Sequence, residues 1–170
     1  MQWNQVQPTE FEKSPFRMIG QQWMLITAQK QDGTVNTMTA SWGGMGVLWG
    51  KNVVFAFIRP QRYTKEFVDD AQRFTLTFFD EKYKKELGYL GRVSGRSEDK
   101  IEKVGFSVQQ LDGAPVFEQA QTAIVCRTLY TQKLDPANFH VAELDEKWYP
   151  EHDYHTVYVA EIEGIYTKAE

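Results

Sequence analysis

The stretch Val53-Val-Phe-Ala-Phe-Ile58 runs directly into Arg59-Pro-Gln-Arg-Tyr-Thr-Lys65, and this junction decides the fold. The first part is apolar at every position, which is typical of a strand buried on both faces. Pro60 ends that strand, and Thr64 is placed to cap a short helix over residues 65–71. We therefore predict a central buried strand that leads through a basic turn into a helix.

Short strand candidates surround this junction without regular alternation of strands and helices. Strands are predicted over 23–29, 36–42, 47–49, 74–79, 123–132 and 155–166, and further helices over 82–90 and 98–104. Gly43, Gly44 and Gly46 predict a bend or bulge between two strands. Because this order argues against a doubly wound sheet, we predict a mainly β fold, a closed antiparallel barrel with helical insertions.

The length of 170 residues favours one domain, over residues 21–170, preceded by an arm over residues 1–20. Aromatic residues make up 14% of the chain, which suits both strands and a flat ligand. The net charge of −4 excludes a strong basic stripe, so we expect no nucleic-acid partner.

Cysteine content and apolar runs limit the chemistry and the location. Cys126 is the single cysteine, which excludes an internal disulfide and multi-cysteine metal sites. Its alternating strand predicts a buried structural thiol. The apolar runs are far shorter than the ~20 residues of a membrane helix, and no secretory signal is visible. We therefore expect a cytoplasmic protein with no membrane partner.

The turn Arg59–Lys65 is a candidate phosphate site. Guanidinium groups, a hydroxyl, an ammonium and backbone N–H groups converge there at a helix start, and helix N-termini favour anions. The alternative is a solvated basic loop.

Asn36–Trp42 is a second candidate, because small and hydroxylated residues at a strand end leave backbone groups accessible to the polar edge of a flat ring. The alternative is an ordinary edge strand.

Two further segments have both structural and functional interpretations. Ser94-Gly95-Arg96 with Asp99-Lys100 predicts a turn before a capped helix, or a third part of a site. His155 begins the last strand and is either a donor near a redox ring or a strand-end residue facing solvent. Its spacing from His152 suits a metal, but no third ligand stands out, so no metal is expected.

Taken in order, five segments resemble the flavin reductase-like, FMN-binding split-barrel family, in particular its flavoredoxin-type members. They are Asn36-Thr-Met-Thr-Ala-Ser-Trp-Gly43, Arg59-Pro-Gln-Arg-Tyr-Thr64, Phe74-Thr-Leu-Thr-Phe-Phe79, Ser94-Gly-Arg-Ser-Glu-Asp-Lys100 and His155-Thr-Val-Tyr-Val-Ala-Glu-Ile-Glu163. The resemblance implies a six-stranded antiparallel Greek-key split barrel with short helical insertions. It also implies a homodimer that binds FMN at or near the dimer interface.

The resemblance assigns roles to individual residues. The isoalloxazine ring would lie against Asn36, Thr37, Met38, Thr39 and Ala40, and the ribityl phosphate would be held by Ser41, Arg59, Arg62, Tyr63, Thr64 and Lys65. Phe79 and Ser94 would lie near the ring or the ribityl chain, and His155 would be the catalytic residue near flavin and nicotinamide. The chain departs from the family pattern at Ala160 and in the insertion Lys133 to Asp153, both of which concern the nicotinamide pocket.

The activity implied is that of an FMN-dependent NAD(P)H oxidoreductase, a flavin reductase in which nicotinamide delivers hydride to N5 of FMN. One alternative is a flavoredoxin-like electron carrier that is reduced by a redox partner protein. The other is a split-barrel module for another cofactor, similar to pyridoxamine-phosphate oxidases or haem-handling proteins, because a fold does not fix a function.

Overall fold

The structure, a computed structural model, describes residues 2–168. Its strands are β1 (Trp3–Val6), β2 (Met24–Gln29), β3 (Val35–Ala40), β4 (Gly43–Leu48), β5 (Lys51–Ile58), β6 (Arg73–Phe78), β7 (Val108–Leu111), β8 (Ala114–Phe117), β9 (Thr122–Lys133) and β10 (Thr156–Lys168). Its helices are α1 (Pro15–Arg17), α2 (Thr64–Ala71), α3 (Lys84–Arg92), α4 (Lys100–Lys103) and α5 (Ala142–Trp148). Single 3-10 turns at Pro8–Glu10, Glu81–Tyr83 and Pro136–Asn138 and a π turn at Met18–Gln22 complete the elements.

One antiparallel sheet forms the body of the protein. Its strand order is β3-β2-β6-β9-β10-β5-β4, with β1 added to β10, and β7 and β8 form a separate hairpin. Only Ser41 and Trp42 connect β3 to β4, the two ends of that order. Because so short a connection spans roughly 11 Å at most, the sheet must curl until its ends lie close together. The mainly β, antiparallel class predicted from the sequence is confirmed.

The main sheet contains eight strands where six were expected. One addition comes from the N-terminal arm, where β1 pairs with the end of β10 from Trp3 opposite Lys168 to Val6 opposite Ile165. The other is β4, which was predicted only over 47–49 but begins at Gly43, so the predicted glycine bend is wrong. A Cβ atom at Gly43 would lie 2.8 Å from the carbonyl oxygen of Phe55, so glycine here lets two strands approach closely.

The main core lies inside the curl of the sheet. Alternate residues of the central strands meet there, among them Val54, Phe74, Ile124 and Tyr158. A second cluster packs α3 against the β8 region and contains Leu87 and Phe117. Cys126 belongs to the main core, which confirms a structural thiol, and its burial raises the pKa of that thiol. Within residues 2–168, no helix is long and apolar enough to cross a membrane.

Helix α2 follows β5 as predicted, but its cap differs. Tyr63 rather than Thr64 occupies the N-cap position. The Thr64 hydroxyl does not cap the helix and instead accepts a hydrogen bond from Asn36 Nδ2 at 2.9 Å. A side chain expected to cap a helix therefore ties α2 to β3.

Candidate functional site

An open depression of about 180 Å³ lies where the ends of β3 and β5 meet the start of β10. It is lined by Met38, Thr39, Ala40, Ser41, Trp42, Phe57, Arg59, Arg62 and His155. All of these except Trp42 and Phe57 were predicted as site residues from the sequence. The curl of the sheet therefore gathers segments that are far apart in the chain.

Asn36 and Thr37 lie inside the protein, behind this depression. The amide of Asn36 donates to Thr64, and the hydroxyl of Thr37 is 2.8 Å from that of Thr27. A Cβ atom at Gly95 would collide with the Asn36 amide, so the loop after α3 packs directly on it. Asn36 thus joins β3, α2 and this loop, and its role in the described structure is to shape the site.

Arg62 is the cation of the depression that no carboxylate neutralises. Its Nη1 donates to the carbonyl oxygen of Gly91 at 2.8 Å and its Nη2 to that of Thr39 at 3.4 Å. Among residues 2–168, no acidic side chain forms an ion pair with it. Burial lowers the pKa of this guanidinium. Since a half-buried charge is less well solvated and gains from a counter-charge, the arrangement favours a bound anion.

Lys100 adds a second cation close to Arg62; it belongs to the third candidate segment from the sequence, but no ligand role was assigned to it. Its Nζ donates to the carbonyl oxygens of Leu90 at 2.7 Å and Val93 at 2.8 Å, at the C-terminal end of α3. Burial, and then repulsion by Arg62, lower the pKa of Lys100 to about 8. The sequence placed Lys100 in a candidate segment, but only the fold shows that this side chain is buried.

The N-terminus of α2 contributes backbone donors beside Arg62. The N–H groups of Lys65 and Glu66 donate to the carbonyl oxygens of Arg62 and Tyr63 at 3.0 and 3.1 Å. The N–H groups of Tyr63 and Thr64 precede these bonds and have no protein acceptor within residues 2–168. Such N–H groups are the usual anion donors of a helix N-terminus.

Four predicted residues have other surroundings. The Tyr63 ring packs edge-on against Phe67, and Lys65 Nζ bonds Asp69 at 2.8 Å. Phe79 belongs to the second core cluster and borders a separate cavity of about 570 Å³, which carries charges of both signs. Ser94 is exposed, and its hydroxyl accepts from the N–H of Arg96. None of these four side chains lines the depression, so their assignment to a ligand stays a prediction.

Arg59 lines the depression, but the insertion neutralises it. Its Nη1 forms an ion pair with Asp153 at 2.7 Å, and its Nη2 donates to the carbonyl oxygen of Trp148 at 2.9 Å. Its guanidinium also lies 4.9 Å from the ring centre of Tyr149. Arg59 therefore fastens the insertion to the edge of the site.

His155 stands directly before β10 and is 7% exposed. Its Nδ1 is 2.7 Å from the hydroxyl of Tyr149, and its ring centre is 5.4 Å from that of Trp42. Burial, and then the positive charge of Arg59, lower the pKa of His155 to about 4. The imidazole is therefore neutral at pH 7, which suits a hydrogen-bond donor or acceptor rather than a cation.

Two insertion residues at the site were left without a role by sequence reasoning. Trp148 packs edge-on against Trp42 at 4.9 Å, and Tyr149 contacts His155. Their segment departs from the family pattern, so no motif could reveal them.

The donor set as a whole fits a flat ligand that carries a phosphate. Arg62 and the α2 N-terminus supply unneutralised donors, and the end of β3 supplies backbone groups and small side chains beside them. Within residues 2–168, no three His, Cys, Asp or Glu side chains form a group suited to a metal. FMN has both features that the donors fit, a flat ring and a phosphate.

Comparison with known proteins points the same way. Residues 16–170 match the family model described as flavin reductase like domain. Similar solved structures include an FMN-binding domain of flavin reductases-like enzyme from Shewanella baltica, with 16% identity, a TM-score of 0.71 and coverage of 98% of this chain and 77% of that one. A flavoredoxin from Methanosarcina acetivorans has 22% identity and a TM-score of 0.65, covering 86% of this chain and 68% of its own.

An FMN-binding protein from Thermus thermophilus has 21% identity and a TM-score of 0.64, covering 86% of this chain and 71% of its own. No curated protein matches the sequence. At these identities the structural similarity establishes the split-barrel fold.

Proposed function

The chain belongs to the flavin reductase-like domain family, and from this premise we propose that it is an FMN-binding, NAD(P)H-dependent flavin reductase. The observation that carries the proposal is Arg62, a half-buried cation without a carboxylate partner in the described chain, at the rim of a depression beside a helix N-terminus. A phosphate there would supply the missing counter-charge.

The residues that would hold FMN divide into two groups. Arg62 and the N–H groups of Tyr63 and Thr64 would bind the phosphate. The strand end Met38–Ser41 would present backbone groups to the edge of the ring. Bound FMN supplies the redox chemistry, taking a hydride from NAD(P)H and passing electrons to an acceptor.

The protein's own contribution is to position, to exclude water and to hold protons. Trp42 and Phe57 pack near His155, and Trp148 packs on Trp42, so aromatic rings cover that side of the depression. His155 keeps a neutral ring at neutral pH, so it offers a fixed hydrogen bond without adding charge. Backbone N–H groups near the ring would favour a reduced, anionic flavin.

Anaerobic mixing of the purified protein with FMN and then with NADH or NADPH tests this proposal. We expect FMN to bind and its visible absorbance to bleach within the time of a few turnovers, typically ~0.1 s each for enzymes. Binding without bleaching would contradict the nicotinamide dependence. Failure to take up FMN would instead favour the split-barrel module for another cofactor.

A second function, an electron carrier reduced by a partner protein, is favoured by one observation. The insertion fills space beside His155, since Trp148 packs on Trp42 and Tyr149 on His155. If this leaves no room for a nicotinamide, a protein donor would have to reduce the flavin. A faster reduction by a reduced ferredoxin than by NAD(P)H would support this function, and rapid reduction by NADH alone would count against it.

We also propose that the protein is a homodimer, as the resemblance to its family implies. The depression is open to the surface, and Trp42 at its rim is 41% exposed, so a second copy would complete the walls of the site. Light scattering combined with size-exclusion chromatography should give twice the monomer mass. A monomer at micromolar concentration in the presence of FMN would contradict this proposal.

A further inference from the structure

The contact between Tyr149 and His155 joins the insertion to the site through one polar bond. The Tyr149 hydroxyl lies 2.7 Å from His155 Nδ1, and both side chains are buried. Among residues 2–168, the other imidazole nitrogen, Nε2, has no hydrogen-bond partner. Because His155 lines the depression, the presence or absence of a hydrogen on Nε2 decides whether the ring donates a hydrogen bond to a ligand or accepts one.

The fold holds both partners of this contact from several sides. Tyr149 is the C-cap of α5, and its N–H donates to the Asp145 carbonyl oxygen at 2.8 Å. The chain then turns back, because the N–H of His152 bonds the Tyr149 carbonyl oxygen at 3.0 Å. His155 is fixed by its own carbonyl oxygen, which accepts from Leu134 at the end of β9 at 2.9 Å.

Arg59 secures the tyrosine ring. Its guanidinium stacks on Tyr149, and Asp153 neutralises that guanidinium. Tyr154 packs on the ring from another side, with ring centres 4.8 Å apart. A ring held by these contacts keeps its hydroxyl at a constant place relative to His155.

Hydrogen-bond requirements decide the direction of the bond. The Tyr149 hydroxyl is buried and has no protein acceptor other than His155 Nδ1 within the described residues. If Nδ1 carried the hydrogen, the hydroxyl would accept it and leave its own proton unsatisfied, which is unfavourable in a buried site. Donation by Tyr149 satisfies both groups and leaves the ring hydrogen of neutral His155 on Nε2.

We infer that Tyr149 is a positioning residue that donates to His155 Nδ1 and thereby fixes His155 as an Nε2–H donor toward the ligand of the depression. The inference rests on the proposed function for its consequence in catalysis, but its statement concerns only residues of this chain. The ionisable groups that face the imidazole are Tyr149 and Asp153 from the insertion and Arg59 and Arg62 from the turn after β5. A neutral Nε2–H group is complementary to a carbonyl oxygen, such as those of a flavin ring or a carboxamide.

Nitrogen NMR of the protein labelled with ¹⁵N-histidine reads the tautomer directly, without any activity. His155→Gln identifies the His155 signals by their loss. In the wild type at pH 7 we expect the Nε2–H pattern for His155. In Tyr149→Phe, which keeps the ring and its packing, we expect a mixture of tautomers.

Tyr154→Phe is the matched control. Its hydroxyl bonds Asp145 and His152 rather than His155, so the His155 signals should stay as in the wild type. An Nδ1–H tautomer in the wild type, or an unchanged pattern in Tyr149→Phe, would overturn the inference.

Flavin reduction gives the second measurement. Loss of one oriented donor should lower kcat about tenfold in Tyr149→Phe. Tyr154→Phe should keep the wild-type kcat. An unchanged kcat in Tyr149→Phe would contradict the positioning role. If the wild type accepts no electrons from nicotinamide, the proposed function fails while the NMR comparison still decides the tautomer.

Discussion

The two sides of the depression differ in how their charge is balanced. On the insertion side, Asp153 neutralises Arg59, and His155 is uncharged at pH 7. On the opposite side, Arg62 and Lys100 are bound only by carbonyl oxygens. Two residues separate the two arginines in sequence, yet only Arg62 is left to meet an anion. A charge in a motif therefore indicates a binding site only when the fold leaves it without a partner.

The largest effect should come from the neutral state of His155. Its pKa lies near 4 in the folded protein against 6.5 in a model compound. Because the unfolded chain takes up this proton first, stability that is present above pH 6.5 is lost as the pH falls toward 4. The free energy of unfolding, measured with urea, should fall between pH 7 and pH 4.5. This fall should be roughly 2 to 3 kcal/mol larger in wild type than in His155→Gln. An equal fall in the free energy of unfolding in both proteins would show that the His155 ring is exposed to solvent rather than buried.

Replacement of each arginine by alanine should separate the two sides. Arg62→Ala should weaken FMN binding by about 1.5–3 kcal/mol, since charge-assisted hydrogen bonds of that strength would be lost. Arg59→Ala is the matched variant and should leave FMN affinity within about threefold of the wild type, because Asp153 already neutralises Arg59. Calorimetric titration with FMN measures both. Equal losses of FMN affinity in the two variants would contradict the difference between the two sides of the depression.

Asp153→Asn should leave Arg59 without its counter-charge, so that both sides of the depression carry an arginine without a carboxylate partner. The ion pair is partly exposed, so we expect a loss of about 1 kcal/mol, confined to the insertion. Amide hydrogens of residues 148–155 should then exchange about fivefold faster. Glu151→Gln is the control, since Glu151 is exposed and forms no ion pair within the described residues. A similar increase in amide exchange rate along the whole chain would show that Asp153 supports the whole fold.

Lys65→Ala should have the smallest effect. Its ammonium bonds Asp69 and lies outside the lining of the depression. We expect FMN affinity to stay within about twofold of the wild type, as for a surface ion pair remote from the ligand. A tenfold loss would show that Lys65 turns toward the phosphate when FMN binds.

The sequence predicted most of the strands because their signals are local. The apolar run Val53–Ile58 lies in β5, and the alternating residues 123–132 lie in β9, as hydrophobic period and turn residues indicate. It missed β1, which is short and pairs with the distant β10, and it missed the short hairpin of β7 and β8, whose four-residue strands carry little pattern. It took glycines 43, 44 and 46 for a bend, since the close approach of Gly43 to Phe55 is visible only in three dimensions.

The site was predicted in outline by motif order. The resemblance brought β3, the turn after β5 and His155 to one place, and the depression contains residues from all three. It could not separate Arg59 from Arg62, because the partner of Arg59 lies in an insertion outside the family pattern. Lys100 was named only as part of a candidate segment and Tyr149 had no assigned role, because their roles arise from burial and from contacts between distant segments.

The central claim, that the unneutralised Arg62 side holds the phosphate of FMN, is tested most directly by comparing FMN with riboflavin, which lacks the phosphate. Dissociation constants for both should be measured by flavin fluorescence in wild type and in Arg62→Ala. We predict that wild type binds FMN at least about tenfold more tightly than riboflavin, the worth of one charge-assisted hydrogen bond, and that this preference shrinks about tenfold in Arg62→Ala. The same preference in both proteins would contradict the account.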